Sequence, residues 1–166
     1  MINYSKTYET ILGKIDNSIL AVLFIGHYNI QQVTSFKLLG VNISDDLRWE
    51  AHIRAICSKV NSRLYFLKQL KRAGLSNADL RCFYTMVVRP VLEYACVVWH
   101  HGLTKAQSDR LEALQKRAIR IMFGRQTVDL SYDDLLSLSK LDALTTRRRN
   151  LSKSFFIKIL NLTSCL

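Results

Sequence analysis

The spacing of apolar residues changes after residue 46, and this change constrains the fold more than any other feature. From Trp49 onward, apolar side chains recur every three or four residues, the period of a helix with one buried face. The stripe consists of Trp49, Ile53, Ile56, Cys57, Val60, Leu64, Leu67 and Leu70. It predicts a long first helix that is capped by Asp45 or Asp46 and closed by Gly74.

A second helix is predicted to begin at Ser76 or Asn77. Its apolar face would consist of Leu80, Phe83, Tyr84, Val87 and Val88. Pro90 should kink or end this helix, because its ring removes a donor and clashes with the preceding turn. The next segment, from Val91 to Trp99, is expected to be mostly buried.

Start and stop signals predict three further helices. Thr104 and Gln107 fit a capping box for the third, and Gly124 would stop it. Its inner face would consist of Leu111, Leu114, Ala118, Ile121 and Met122. The fourth is predicted from about Tyr132 to Ser139, and the fifth from about Ala143 to Leu162.

Residues 1–45 are expected to be extended. The runs Ser18–Ile25 and Phe36–Ile43 are β-rich, with polar turns predicted at Asp16-Asn17 and at His27-Tyr28-Asn29. Two or three strands make a poor independent sheet, so they need partners or pack on the helices. The predicted class is α+β, mainly α, with a β segment over 1–45 and about four or five helices over 46–166.

The formal charge of +11, from 24 Lys and Arg against 13 Asp and Glu, favours a polyanionic partner. Nucleic acid is the first candidate and an anionic membrane surface the second, while solubility alone is the plain alternative. The longest apolar run, Ile19 to Gly26, is too short to span a bilayer, so no membrane insertion is expected.

The four cysteines contain no CxxC pair and complete no zinc spacing with the histidines. We therefore expect buried free thiols at Cys57, Cys82 and Cys96, no bound metal and no cofactor. Without a secretory signal, this suits a cytoplasmic or nuclear protein.

Basic residues share the predicted first, third and fifth helices with the apolar stripes, as a helix lying along a phosphate backbone requires. A solvated outer face is the alternative for any one helix. The residues predicted to bind nucleic acid are Lys59, Arg63, Lys68, Lys71, Arg72, Lys116, Arg117, Arg120, Arg147, Arg148 and Arg149.

Ser131-Tyr132-Asp133-Asp134 contains paired carboxylates of the kind that hold magnesium in polymerases. Here the pair precedes Leu135-Leu136 in a helical pattern, so we interpret Ser131 as an N-cap with acids in the first turn. No other catalytic grouping is present. The helically spaced aromatic residues, Trp49, Tyr65, Phe66, Phe83, Tyr84, Tyr94 and Trp99, are predicted to be core rather than base-stacking residues.

The order of several segments resembles the C-terminal part of non-LTR (LINE-type, jockey-like) retrotransposon reverse transcriptases. The matching segments are Asn3–Thr7, Phe36–Val41 with Leu47–Trp49 and His52-Ile53, Arg63–Arg72, Phe83-Tyr84, Val88–Ala95 with Trp99, and Gln115–Ile121. They cover nearly the whole chain, and their combination is specific although each one alone is weak.

This resemblance implies the end of a polymerase palm followed by a helical thumb, which holds an RNA or RNA–DNA duplex by its backbone without sequence preference. Lys6 would then lie near the incoming nucleotide in the intact enzyme. The catalytic aspartates and their magnesium would precede residue 1, so we expect a truncated fragment without polymerase activity. The alternative is a non-enzymatic helical interaction module, or a remnant that self-associates through its N-terminal β segment.

Overall fold

The computed structural model describes Asn3 and residues 7–13 and 22–163. The chain divides into two compact units, Met1–His52 and Ile53–Leu166. Short strands occupy the first unit and helices dominate the second, which confirms the expected α+β, mainly α class.

Among its described residues, the N-terminal unit contains three pairs of short strands. They are β1 (Tyr8–Glu9) parallel to β4 (Gln31–Gln32), β2 (Phe24–Ile25) antiparallel to β3 (Tyr28–Asn29), and β5 (Ser35–Leu38) antiparallel to β6 (Val41–Ser44). Such pairs have few ladder hydrogen bonds, which fits the expectation that these strands alone make a poor sheet.

The apolar run Phe36–Ile43 forms a hairpin, so its prediction as one strand was wrong. Leu39 and Gly40 both adopt positive φ, at 46° and 87°, and form its two-residue turn. Glycine adopts this conformation without a steric penalty, and the twist of such turns suits a tight hairpin. Of the other run, Ser18–Ala21 and the turn predicted at Asp16-Asn17 lie outside the described residues.

Helix α1 runs from Glu50 to Arg72 and buries most of the predicted stripe. The N-cap prediction was wrong, because Asp46 lies four residues before Glu50 and instead accepts hydrogen bonds from Arg48 N and Ser44 Oγ. These bonds hold the pKa of Asp46 below its usual value. The predicted stop is confirmed: Gly74 has φ 87°, and Leu75 N donates to Leu70 O in a Schellman-type ending.

Helix α2 (Asn77–Phe83), a π-turn (Tyr84–Val88) and helix α3 (Arg89–Glu93) follow one another without a break. Pro90 therefore does not end the helical path but is the second residue of α3. The π-turn widens the path just before Pro90, where Arg89 N donates to Tyr84 O. A wider turn accommodates the backbone groups that a proline leaves without an α-helical partner.

Four more segments complete the helical unit. They are α4 (Cys96–Trp99), α5 (Lys105–Phe123), α6 (Tyr132–Ser139) and α7 (Leu144–Thr163). The segment from Val91 to Trp99 is only partly buried, because Ala95 adopts a left-handed conformation and leaves Tyr94 and Val98 exposed. Among the described residues no single helix is both long and apolar enough to cross a membrane, while the bent pair Asn77–Glu93 and Cys96–Gly102 passes on length and composition only.

The capping predictions for α5 and α6 are confirmed. Thr104 Oγ1 accepts from Gln107 N while Gln107 Oε1 accepts from Thr104 N. Ser131 and Asp134 form the same reciprocal arrangement at the start of α6. Asp134 therefore supports a helix start, as the sequence predicted.

Candidate nucleic-acid interface

One face of α1 carries an exposed polar stripe whose members are separated alternately by four and three residues. Its members are Arg54, Ser58, Asn61, Tyr65, Lys68 and Arg72, and all are exposed. This spacing places side chains in one row along a helix. The α1 stripe contains no acidic residue and extends roughly 27 Å at 1.5 Å per residue.

Helix α5 carries a second row with the same spacing. The α5 stripe consists of Ala106, Arg110, Ala113, Arg117, Arg120 and Gly124, all of them exposed. The row contains three arginines and three small residues, so bulky side chains do not crowd the guanidinium groups. The two stripes meet where Arg117 Nη1 donates to Asn61 Oδ1 at 3.2 Å. The structure therefore joins two basic rows that lie 56 positions apart in sequence.

Of the predicted set, Lys68 and Arg72 lie on the α1 stripe and Arg117 and Arg120 on the α5 stripe, and a hydrogen bond from Arg117 to Asn61 links the two rows. Other predicted residues on these helices lie elsewhere or have partners. Arg63 Nη1 donates to Val87 O at 2.7 Å, and Lys71 Nζ donates to Asn77 Oδ1 at 2.8 Å. Lys59 is exposed outside the α1 stripe, and Lys116 is half-buried outside the α5 stripe.

Arg147 forms an ion pair inside the helical unit. Its Nε and Nη2 donate to the two carboxylate oxygens of Glu93 at 2.5 and 3.2 Å. Hydrogen bonding to Glu93 raises the pKa of Arg147. A bidentate, largely buried pair of this kind holds α7 to α3 rather than offering a charge to a partner.

Arg148 is fully buried, so its prediction as a surface contact was wrong. Its guanidinium carbon lies 5.8 Å from the centroid of the Trp99 ring, a cation–π contact. Nη2 donates to Ser108 Oγ at 3.4 Å, whereas Nε and Nη1 have no hydrogen-bond partner within the described part of the chain. Burial lowers the pKa of Arg148, and the charge of Glu112 opposes that shift. Of the three consecutive arginines, only Arg149 is exposed.

The Glu112 carboxylate fixes the start of α7. Oε1 accepts from Thr145 N at 2.6 Å and from Thr145 Oγ1 at 2.7 Å, while Oε2 accepts from Leu144 N at 3.3 Å. The first amides of a helix have no partner within the helix, and a carboxylate there also suits the helix dipole. Glu112 is therefore an N-terminal cap supplied by another helix.

Tyr132, from the segment that resembles a catalytic pair, belongs to the same internal network. Its hydroxyl donates to Glu112 Oε2 at 2.5 Å and accepts from Gln115 Nε2 at 3.0 Å. Gln115 Oε1 accepts from Tyr84 OH at 2.6 Å. Burial is the main cause that raises the pKa of both tyrosines. This network packs α5, α6 and α7 together with the π-turn.

The core prediction for the aromatic residues was right for Trp49, Tyr84 and Trp99 and wrong for others. Tyr65 and Phe66 are each 59% exposed and form an edge-to-face pair. Tyr65 lies in the α1 stripe between basic residues, where an aromatic ring can stack on a base or pack on a sugar. Asn61 and Tyr65 were missed as site residues, although their spacing from Lys68 and Arg72 was readable in the sequence.

Two expectations concern residues or groups beyond this surface. Lys6 lies outside the described residues, and so does Cys165. Within the part of the chain that the structure describes, no three His, Cys, Asp or Glu side chains are arranged to hold a metal ion.

Comparison with protein-family models, with curated proteins and with solved structures found no match.

Proposed function

We propose that this chain is the palm-end and thumb region of a non-LTR retrotransposon reverse transcriptase, and that its helical unit binds the backbone of an RNA or RNA–DNA duplex without catalysing polymerisation. The ordered segments that resemble this family support the family assignment. The compartment that goes with this function is the cytoplasm or the nucleus.

The pair of basic stripes on α1 and α5 is the observation that carries the binding proposal. The α1 stripe is about as long as eight base pairs of duplex, and the arginines of the α5 stripe span about 15 Å, against a duplex that carries one charge per roughly 1.7 Å of its axis. Lysine and arginine that neutralise phosphates release counterions, and this gain does not depend on base sequence. Neither stripe contains a carboxylate, and the exposed carboxylate beside the α5 stripe is Asp109, which precedes Arg110.

The test measures duplex binding by the full chain as a function of salt, using fluorescence anisotropy with a labelled RNA–DNA hybrid. Lys68→Gln combined with Arg120→Gln removes one charge from each stripe. The slope of log affinity against log salt should become shallower by about 2, since each lost phosphate contact contributes roughly 0.9. Hybrids of different sequence should bind alike.

The matched control is Lys153→Gln with Lys158→Gln, which removes the same charge from exposed positions of α7. Its salt slope should stay close to that of the parent protein. If both double variants reduced the salt slope equally, binding would depend on total charge and not on the two stripes, which would refute the proposal. Absence of duplex binding at low salt would refute it as well. Primer extension with magnesium should give no product, and the genomic sequence upstream of Met1 tests the family assignment separately.

A second candidate function, self-association, is favoured by the C-terminal half of α7. Phe155, Phe156, Ile157, Ile159 and Leu160 are all exposed there, with Leu160 at 67%. Exposed apolar patches of this kind mark interaction surfaces. Light scattering after size exclusion, repeated over a range of concentrations, should detect dimers that Phe156→Ser with Leu160→Ser abolishes. A monomer at every concentration would exclude this function.

A further inference from the structure

A second basic feature lies apart from the two stripes, in a groove between α2 and the end of α6. The groove consists of two adjoining recesses that share Ala78, Arg81 and Lys140. The larger recess has a volume of about 360 Å³ and the smaller about 180 Å³. The larger one falls within the range of roughly 300–1,000 Å³ that is typical of small-molecule sites.

The larger recess is lined by three cations and no carboxylate. Arg81, Arg89 and Lys140 contribute the charges, and Thr85 contributes a hydroxyl. Thr85 Oγ1 donates to Cys82 O at 2.9 Å, so its oxygen remains able to accept. Guanidinium and ammonium groups that converge on one recess form a site for a phosphate group.

The Glu93 carboxylate beside this recess is shared between two arginines. Glu93 lies 4.0 Å from Arg89 Nε, but it forms its close bidentate pair with Arg147. The carbonyl groups at the end of α6 are also occupied, because Leu136 O accepts from Leu141 N and Leu135 O accepts from Ser139 Oγ. Neither feature cancels the positive charge of the three side chains.

The smaller recess adds an aromatic and an aliphatic side chain. Phe123 and Leu138 line it but not the larger recess, as do Asn77 and Ser139, while Ala78, Arg81 and Lys140 line both. An aromatic ring and aliphatic side chains suit a flat, weakly polar ring system such as a nucleobase. The groove therefore has one end for phosphate and another for an aromatic ring.

We infer that this groove binds a nucleoside phosphate, with the phosphate held by Arg81, Arg89 and Lys140 and the base against Phe123 and Leu138. The occupant is either a free nucleotide or the phosphorylated end of a strand, which share this chemistry. The inference is separate from duplex binding, because none of these residues belongs to the α1 or α5 stripe.

The test titrates the full chain with ADP in a calorimeter, and with adenosine, inorganic pyrophosphate and a 5′-phosphorylated dinucleotide for comparison. ADP should bind at least about tenfold more tightly than adenosine or pyrophosphate alone, since each of those fills only one end. Binding of ADP no tighter than pyrophosphate would overturn the inference. The tighter of the two nucleotide probes identifies a free nucleotide or a strand end as the occupant.

Arg81→Gln with Lys140→Gln should weaken ADP binding by about tenfold or more, whereas Lys153→Gln with Lys158→Gln should change it less than about twofold. Circular dichroism checks that both variants fold. Equal losses in both would overturn the inference. Lys68→Gln with Arg120→Gln should leave ADP binding intact, so failure of duplex binding and failure of this site are distinguishable.

Cys82 provides an independent readout that uses the parent protein, because this exposed thiol lines the larger recess. ADP should slow the alkylation of the Cys82 thiol by iodoacetamide. Peptide mass spectrometry measures the extent of this alkylation over time. Cys57 does not line the groove and serves as the internal reference. Equal alkylation rates of Cys82 with and without saturating ADP would refute binding in this recess.

Discussion

Helices α5 and α7 both carry several arginines, yet the structure uses them in opposite ways. Arg110, Arg117 and Arg120 all point away from the core of the helical unit, whereas Arg147 is paired and Arg148 is fully buried. The difference follows from spacing. Residues spaced by three or four share a face, while consecutive residues are about 100° apart and point in different directions, so the packing around the start of α7 decides which arginine is buried. A run of consecutive charged residues therefore shows only that a segment is basic. The spacing of charged residues along a helix predicts which face of the helix they occupy.

The buried arginine is accommodated by its surroundings. Trp99 provides an aromatic face, and the negative charges of Glu112 and Glu93 favour the charged guanidinium while burial opposes it. Desolvation of a charge is costly, so the packing of the long side chain and these interactions must offset it.

The largest predicted effect is on stability when this buried arginine is truncated. Arg148→Ala should lower the free energy of unfolding by about 3 kcal/mol, because it leaves a cavity beside Trp99. Arg120→Ala and Arg149→Ala, at exposed positions, should change it by no more than about 0.5 kcal/mol. Urea denaturation measures all three, and similar values for them would break the distinction between the helices.

The second prediction concerns the residue that fixes α7. Glu112→Ala should lower the free energy of unfolding by about 2 kcal/mol, because two amides and two hydroxyls lose a charged acceptor. Asp109→Ala, at an exposed position of α5, is the matched control and should have little effect. Hydrogen exchange should show faster exchange at Leu144 and Thr145 in the Glu112 variant only. Unchanged protection there would refute the capping role.

The smallest predicted effect is a pH dependence from His100. Burial, together with the positive charges of Arg148, His101 and Arg149, lowers the pKa of His100 from 6.5 to about 4. His100 therefore binds a proton more readily in the unfolded chain than in the folded one. The contribution of His100 to the free energy of unfolding is complete above pH 6.5 and is lost as the pH falls toward 4.

Because His100 is partly exposed, solvent screening limits the loss to about 1 kcal/mol. His100→Gln should flatten the dependence of unfolding free energy on pH between these values, compared with the parent protein. His101→Gln, at an exposed neighbouring position, should keep most of this dependence, because burial is the largest cause of the shift in the pKa of His100. Parallel curves for the parent and His100→Gln would show that this histidine is not responsible.

Local signals predicted the helices well because they act over a few residues. Thr104 with Gln107 and Ser131 with Asp134 satisfy amides within their own first turns, so their geometry depends little on the rest of the chain. The exact bounds of α6 and the stop at Gly74 were predictable for the same reason. The N-terminal strands were less predictable, because strand pairing is set by turns such as Leu39-Gly40 and by register.

The candidate interface was only partly predictable. Lys68, Arg72, Arg117 and Arg120 were identified from charge and amphipathicity, but the same reasoning included Arg147 and Arg148. A helical wheel separates exposed from buried faces only when the apolar stripe is clear, and α7 has exposed apolar residues along its second half. The partners that remove Arg147 and Arg63 from a free surface, Glu93 and Val87 O, are remote in sequence.

The sequence alone determined where α5 and α6 begin, where α1 ends, which stripe of α1 is buried, and that Asp133 and Asp134 belong to a helix start. These features rest on local hydrogen bonds and on the 3.6-residue period. Only the tertiary structure decided which arginines face solvent, that Glu112 caps α7, and that the α1 and α5 stripes meet at Asn61 and Arg117. Those outcomes depend on contacts between distant segments, which arise when the helices pack and bury a common core.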